Sequence, residues 1–141
     1  SALGLATIGR MLLGNGRVDG VRLLRPGSVK VLTTPVWQLG QGSIGENYAG
    51  LMRCYSPGLQ CLSGSDPHDQ PVPGTAARWW GHLGEAYGLL GGLWIDRENR
   101  RVLVYLLNGS ADDPAKAPHR SAFMGVEEAI LVDLAATPAR R

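Results

Sequence analysis

The sequence of 141 residues lacks several features that mark common classes of protein. No apolar run reaches the roughly 20 residues that a membrane-spanning helix needs, and the N-terminus does not have a signal-peptide layout. Charged residues are scattered, and the net charge is only +2. Because nucleic-acid-binding domains usually carry a basic stripe, we predict neither a nucleic-acid partner nor a membrane span. The length fits one domain with a proper core.

Cysteine is also scarce, since the chain has only Cys54 and Cys61. Pro57-Gly58 lies between them and is typical of a tight turn. A hairpin with that turn would place the two cysteines within disulfide distance, which would imply an oxidising compartment. The alternative is two reduced thiols packed as small apolar side chains. Two cysteines with no histidine at ligand spacing leave a zinc site half empty, so we predict no metal and no cofactor.

The pattern of apolar residues predicts an α+β fold, in which helices pack on an antiparallel sheet. Ser1 is the predicted N-cap of a first helix that ends at Gly14-Asn15-Gly16. A short helix is predicted over residues 28–33 and a last helix from Ser121. The apolar stripe predicted for that last helix is Phe123, Val126, Ile130 and Leu134. Strands are predicted over residues 48–53, 59–62, 87–95 and 102–107, with a loop over residues 36–47.

The last two predicted strands are almost continuously apolar, so we expect both faces of the sheet to be covered. Three helices barely supply that cover, and residues 1–141 are therefore predicted to form one partial domain. The chain also starts inside a helical pattern, so we expect its N-terminus to be a processed or excised start.

A Gly-His-Leu-Gly tetrad, Gly81 to Gly84, precedes these apolar strands. A polar His82 framed by glycines beside buried strands is the first candidate for chemistry. On local sequence alone, the alternative is a turn residue with a satisfied hydrogen bond. Trp79 and Trp80 come just before the tetrad. Adjacent strand residues face opposite sides, so one tryptophan could line a substrate pocket and at least one belongs to the core.

Three stretches resemble, in the right order, the C-terminal part of serine beta-lactamase-like hydrolases. This superfamily includes class C beta-lactamases, penicillin-binding DD-peptidases, D-aminopeptidases and esterases. Residues 1–20, SALGLATIGRMLLGNGRVDG, resemble the family helix SA-x-DLA-x-F-x-x-x-LLNGG-x-x-DG. Residues 21–35, VRLLRPGSVKVLTTP, resemble its LLSPESV-x-x-M-TTP segment. Residues 81–108 resemble the strand with the Lys-Thr-Gly or His-x-Gly motif, the following hairpin and its closing asparagine.

The resemblance implies acyl transfer through a covalent serine ester, with the third motif on the strand that edges the active site. His82 takes the place of the motif lysine, Leu83 of the threonine and Gly84 of the glycine. The backbone N–H of Glu85 would be one of two donors to the oxyanion. A glycine at position 84 leaves room for the substrate at the strand edge. The predicted substrate contacts are Trp80, Leu83 and Tyr87.

Two residues depart from the family pattern. A histidine is charged only partly near neutral pH and reaches less far than a lysine, so His82 favours esters or amino-acid amides over beta-lactams. Glu85 is bulkier and more acidic than the small residue expected beside an oxyanion. Its carboxylate must therefore point away from the reacting atoms.

The chain contains neither Ser-x-x-Lys nor Tyr-x-Asn or Tyr-x-Ser. Because the family nucleophile and its base are absent, this chain alone is predicted to be inactive. Its predicted partners are the rest of the hydrolase, with the Ser-x-x-Lys segment, and a small-molecule substrate with an ester, amide or beta-lactam-type bond. Apolar surface left uncovered would also favour self-association. The disulfide and the resemblance together predict a periplasmic or secreted protein.

Two other functions are open from the residues. Ser1 could be an N-terminal nucleophile activated by its own amine, although such residues usually head a strand and Ser1 heads a helix. The non-enzymatic alternative is a disulfide-stapled binding or interaction domain of a secreted or periplasmic protein.

Overall fold

Three helices and eight strands make up the described part of the chain, in a computed structural model that describes residues 1–40, 42, 53–62, 70, 72, 77–109 and 123–136. The helices are α1 (Ala2–Leu13), α2 (Pro26–Leu32) and α3 (Gly125–Ala136). The strands are β1 (Arg17–Val18), β2 (Val21–Arg22), β3 (Trp37–Gln38), β4 (Cys54–Ser56), β5 (Leu59–Leu62), β6 (Trp79–Ala86), β7 (Leu89–Asp96) and β8 (Arg101–Asn108). The predicted α+β class with an antiparallel sheet is confirmed.

The first helix begins and ends at the signals read from the sequence, whereas α2 begins two residues and ends one residue before the predicted range 28–33. The Ser1 hydroxyl accepts a hydrogen bond from the Gly4 N–H at 3.2 Å, so it satisfies one of the amides that a helix start leaves unpaired. After Leu13, Asn15 and Gly16 take positive φ values of 51° and 89°, which end α1. Pro26 occupies the first position of α2, where its missing N–H costs nothing.

Strands β3 to β8 form one six-stranded antiparallel sheet in chain order within the described residues. The strands β6, β7 and β8 are eight residues long each. They pair along their whole length, from Trp79↔Asp96 to Ala86↔Leu89 between β6 and β7. This three-stranded unit is the framework on which the shorter strands and the helices pack.

Each face of this framework carries its own core. On one face, here called the α3 face, Trp94 packs edge-on against Phe123 with ring centroids 5.5 Å apart, and Leu131 of α3 joins the same cluster. On the opposite face, the α1 face, Ile95 packs against Met11 of α1. Adjacent residues of β7 thus serve different cores, as strand alternation requires. The expectation that helices cover both faces is confirmed at this end of the sheet.

Two strand predictions before residue 62 need correction. Residues 48–52 of the strand predicted at 48–53 lie outside the described residues, and Arg53 precedes the strand. Strand β4 is Cys54–Ser56, and it pairs with β5 across Pro57-Gly58. Within the predicted loop at 36–47, Trp37–Gln38 forms the short strand β3, and positions 41 and 43–47 lie outside the described residues.

The prediction of a first long strand at 87–95 is wrong at its start. Strand β6 occupies Trp79–Ala86, and β7 begins only at Leu89. Tyr87 and Gly88 form a two-residue connection with φ values of 53° and 80°, the conformation of a type I′ hairpin turn. His82 lies in the middle of β6, so the alternative that it is a turn residue is also wrong.

The last helix is shifted relative to the sequence prediction. It begins at Gly125, whereas the predicted start Ser121 lies outside the described residues. Its buried residues are Glu127 and Leu131, and Val126, predicted to face the core, is 43% exposed. Phe123 is buried as predicted, but it precedes the helix.

Candidate functional site

The second half of β6 has a strand neighbour on one side only among the described residues. Strand β5 pairs with β6 over three residues and its last pair is Gln60↔Gly81. Beyond that pair β5 turns at Pro57-Gly58, while β6 continues to Ala86 and remains paired with β7. The segment from His82 to Ala86, here called the open edge, therefore presents backbone groups on its β5 side.

The direction of each backbone group along the open edge follows from one hydrogen bond. The Leu83 N–H donates to the side-chain Oε1 of Gln60 at 2.8 Å, so Leu83 faces the β5 side. In an antiparallel strand, the N–H and C=O of one residue point to the same side, and this side alternates along the chain. Glu85 therefore directs its N–H and C=O to the open edge, while His82 and Gly84 direct theirs to β7.

His82 is hydrogen-bonded through both ring nitrogens. Nε2 lies 2.8 Å from the hydroxyl of Tyr55 on β4, and Nδ1 contacts the carbonyl oxygen of Leu83. A carbonyl oxygen can only accept, so Nδ1 carries a proton. In the neutral ring Nε2 is then the acceptor, and the Tyr55 hydroxyl donates to it. The two rings meet edge to face, with centroids 5.7 Å apart.

Gly84 lies on the α1 face beside open space. Among the described residues, a Cβ atom at this position would have only the carbonyl oxygen of Gly91 within 4 Å, at 3.9 Å. Its neighbour on β7 is Gly91, and the neighbour of Gly91 on β8 is Leu106. This cross-strand row therefore has two glycines followed by a leucine that is 42% exposed. The backbone of β6 can therefore be approached closely from the α1 face at this position.

Strand alternation places Glu85 on the α3 face, opposite to His82 and Gly84. The expectation that its carboxylate points away from its own N–H edge agrees with this placement. Leu83 shares the α3 face and packs, partly buried, against the core there.

The other two predicted substrate contacts lie apart from the middle of the open edge. Trp80 is buried on the α1 face, and its strand partners are Cys61 and Ile95. Tyr87 is fully exposed at the tip of the β6–β7 hairpin. The roles assigned to Trp80, Leu83 and Tyr87 stay predictions.

The predicted disulfide between Cys54 and Cys61 is confirmed, with Cα atoms 5.0 Å apart. It closes the β4–β5 hairpin, and this hairpin carries both Tyr55 and Gln60. Sequence reasoning missed these two residues as neighbours of the site. The predicted hairpin sets these two residues opposite each other, but no signal in the sequence places that hairpin beside His82 and Leu83.

A second polar cluster, on the α3 face, serves the fold. The carboxylate of Glu127 accepts the hydroxyl of Tyr105 at 2.6 Å and the backbone N–H of Met124 at 2.9 Å. The second bond caps the start of α3, and the first joins that helix to β8. Both side chains are buried, so this cluster cannot meet a substrate from solvent.

The described residues contain no group of three or more His, Cys, Asp and Glu side chains that could hold a metal ion. No helix within this part of the chain is long and apolar enough to cross a membrane. Comparison of the sequence with protein-family models and with curated proteins found no match to either. Two observations bear on function: the geometry of the open edge, and the three stretches that resemble serine beta-lactamase-like hydrolases.

Proposed function

We propose that this chain is the C-terminal part of a serine beta-lactamase-like hydrolase and forms the wall of its active site that carries the His-x-Gly strand. One observation carries the proposal: β6 is paired with β7 throughout, but from His82 to Ala86 its other side has no strand partner among the described residues. In this superfamily, the corresponding strand edges the active site. The nucleophilic serine of Ser-x-x-Lys and the motif tyrosine come from a segment that precedes Ser1.

The open edge supplies an oxyanion donor in this mechanism. The serine hydroxyl attacks the carbonyl carbon of an ester or amide, and negative charge develops on the carbonyl oxygen. The Glu85 N–H points to the β5 side, where that oxygen would lie. One such donor can contribute about two to three orders of magnitude in rate. The oxyanion collapses and breaks the bond to the leaving group, which departs as an alcohol or amine with the proton from the serine hydroxyl. Water then hydrolyses the serine ester, which releases the acid and regenerates the serine.

Gly84 and the pair of Tyr55 and His82 shape the same edge. A side chain at position 84 would stand between the substrate and the strand, and the space beside Gly84 is open on the α1 face. The imidazole of His82, three positions before Glu85 on β6, and the Tyr55 phenol bonded to it are polar groups at the same edge. This supports a polar ester or amino-acid amide as the substrate class.

The N-terminal-nucleophile alternative receives no support from the position of Ser1. Its hydroxyl accepts the Gly4 N–H and caps α1. N-terminal nucleophiles usually head a strand that faces a cleft, whereas Ser1 heads α1.

The disulfide between Cys54 and Cys61 supports a periplasmic or extracellular location, because such bonds persist in oxidising compartments. The rest of the hydrolase, placed before Ser1, would cover Gly84 and Leu106, which are exposed on the α1 face. Without that partner, the same surface favours self-association of the chain.

A fluorophosphonate probe tests the proposal directly. The complete polypeptide encoded by the gene and this chain alone are treated in parallel, and the labelled residue is identified by mass spectrometry. We expect stoichiometric labelling of a Ser-x-x-Lys serine before Ser1 and no labelling of this chain. Labelling within residues 1–141 would overturn the proposal. A complete reading frame without Ser-x-x-Lys would do so too, and would favour the disulfide-stapled binding domain.

The substitution His82→Ala in the complete polypeptide tests the role of the strand. Loss of a polar group that touches the substrate should lower kcat/KM for an ester substrate by about 10- to 100-fold. The thermal midpoint should stay within the error of the wild type, because the His82 side chain is exposed. Unchanged kinetics would remove His82 from the site.

A further inference from the structure

The side chain of Gln60 accepts a backbone hydrogen bond from β6, as a backbone carbonyl does elsewhere in the sheet. Its side chain is only 2% exposed, and its Oε1 accepts the Leu83 N–H at 2.8 Å. The β5 backbone cannot reach Leu83, because the ladder ends at Gln60↔Gly81. The Gln60 side chain thus extends the pairing by one residue. The next amide directed to this side is that of Glu85.

The carbonyl of Leu83 is occupied as well, by the ring of His82. Nδ1 of His82 donates to it, and the Tyr55 hydroxyl holds Nε2 on the other side of the ring at 2.8 Å. Both backbone groups that Leu83 directs to the open edge therefore have partners within the chain. A substrate that approaches this edge meets the backbone of Glu85 as the first residue without a strand or side-chain partner among the described residues.

The β4–β5 hairpin, which is closed by the disulfide, carries both residues that make these contacts with β6. Tyr55 on β4 and Gln60 on β5 are register partners, and the disulfide joins the residues next to them, Cys54 and Cys61. The relative positions of the Tyr55 hydroxyl and the Gln60 amide are thus fixed by a closed ring of chain. Neither residue belongs to the motifs that suggested the site.

From this geometry we infer that Gln60 and Tyr55 are positioning residues of the active site, an inference that rests on the proposed hydrolase function. Gln60 accepts the Leu83 N–H and so holds this part of β6 in place. The Glu85 N–H is then the first backbone donor of the open edge without a partner among the described residues. Tyr55 fixes the ring orientation and the tautomer of His82. The disulfide hairpin is the element that holds both.

Amide hydrogen exchange, measured by NMR on this chain, tests the role of Gln60. In the wild type, the Leu83 amide should exchange at least about tenfold more slowly than that of Glu85. Gln60→Met keeps the volume but removes the acceptor, so the Leu83 amide should exchange about tenfold faster or more. The amides of His82 and Gly84, which face β7, should not change. Gln38→Met on β3 is the matched control and should leave Leu83 protected.

Equal protection of Leu83 and Glu85 in the wild type would overturn the inference. So would unchanged exchange of Leu83 in a folded Gln60→Met variant.

The tautomer of His82 gives a second test that does not depend on the Gln60 variant. For the neutral ring, two-bond nitrogen–proton NMR correlations should show the proton on Nδ1 in the wild type. Tyr55→Phe removes the donor to Nε2, and a fraction of the ring should then carry its proton on Nε2. A proton on Nε2 in the wild type would overturn the role of Tyr55.

Kinetics of the complete polypeptide separate this inference from the proposed function. Misplacing an oxyanion donor acts on the transition state, so Gln60→Met should lower kcat by about tenfold and leave KM nearly unchanged. An active wild type whose kcat does not respond to Gln60→Met would overturn the positioning role and leave the hydrolase function standing. A wild type without a reactive serine would overturn both, because the site that Gln60 and Tyr55 position would not exist.

Discussion

At the scale of single residues, two glycines of β6 that look alike in the sequence have different surroundings. A Cβ atom at Gly81 would collide with the carbonyl oxygen of Leu93 and with the ring of Trp94. A Cβ atom at Gly84 would have open space, with its nearest neighbour 3.9 Å away. The first glycine is required by packing of the chain itself. The second is not, so its small size is available for an approaching molecule.

This contrast leads to opposite expectations for two substitutions. Gly84→Val should leave the stability of the chain close to that of the wild type and abolish activity of the complete hydrolase. Gly81→Ala should lower the free energy of unfolding by about 1–3 kcal/mol or more, because overpacking strains the strand. Urea unfolding and ester hydrolysis together check both. A fully active Gly84→Val variant would take β6 out of the active site.

Tyr105 should make the stability of the chain depend on alkaline pH. Burial, and secondarily the Glu127 carboxylate, raise the pKa of Tyr105 well above its usual value of about 10. The folded protein keeps the phenol neutral, while the unfolded chain ionises it. The stabilisation is therefore complete below about pH 10 and falls by about 1.4 kcal/mol per pH unit above it.

Urea unfolding over roughly pH 8 to 11 measures this slope. Tyr105→Phe should flatten the fall above about pH 10, although its stability at neutral pH should be lower by the lost hydrogen bond. Tyr87→Phe, at the fully exposed turn, is the control and should keep the wild-type slope. The same slope in Tyr105→Phe and in the wild type would contradict the assignment.

Several residues could be predicted from the sequence alone because their roles are local. Ser1 as N-cap and Cys54 with Cys61 as a disulfide depend on neighbours within a few residues. Tyr55 and Gln60 could not be placed at the site in this way. Their partners on β6 are more than 20 residues away, and only the sheet register brings them together.

At the scale of elements, the hairpin of β6 and β7 shows what periodicity misses. The chain from Tyr87 to Ile95 reads as one apolar run, and nothing in its composition marks Tyr87-Gly88 as a turn. Tyrosine is unusual at positive φ, whereas asparagine or aspartate before glycine would have marked a type I′ turn. The family-like motif did better here, since it placed the tetrad on a strand.

The sequence prediction of helix α3 was wrong for a different reason. Its sequence offers apolar residues on more than one side, and a buried carboxylate decides which side faces the sheet. Glu127 is drawn inward by the Tyr105 hydroxyl and the Met124 N–H, which rotates Val126 towards solvent. A pattern that counts only apolar positions cannot detect this.

The disulfide hairpin of β4 and β5 should be a measurable stabilising element. Its cysteines are separated by seven positions, so closing this short loop restricts the unfolded chain by roughly 2 kcal/mol. The double variant Cys54→Ala/Cys61→Ala should lose about that much free energy of unfolding. Reductant should weaken the wild type to a similar extent and leave the variant unchanged. Equal stability of variant and oxidised wild type would contradict a constraining role.

At the scale of the whole molecule, the helices cover one end of the sheet better than the other. α1 lies over the region of Ile95, whereas Leu89 and Leu106 on the same face are 41% and 42% exposed. Leu106 lies in the cross-strand row of Gly84, and Leu89 lies in the row of Ala86. The expectation of a partial domain came from counting helices against apolar strands. The location of the uncovered area required the register of β6, β7 and β8.

The open edge also bears on how the chain avoids aggregation. An unpaired stretch of strand is a template on which another strand can add, and small neighbours such as Gly84 and Ala86 would not resist it. Glu85 lies within this stretch. An exposed charge on an edge strand discourages pairing between copies, because the two carboxylates would be brought together. Glu85, an unexpected residue beside the proposed oxyanion site, would thus protect the edge strand against aggregation. On the proposed function, the edge that a substrate has to reach is thereby kept from pairing with a second copy of the chain.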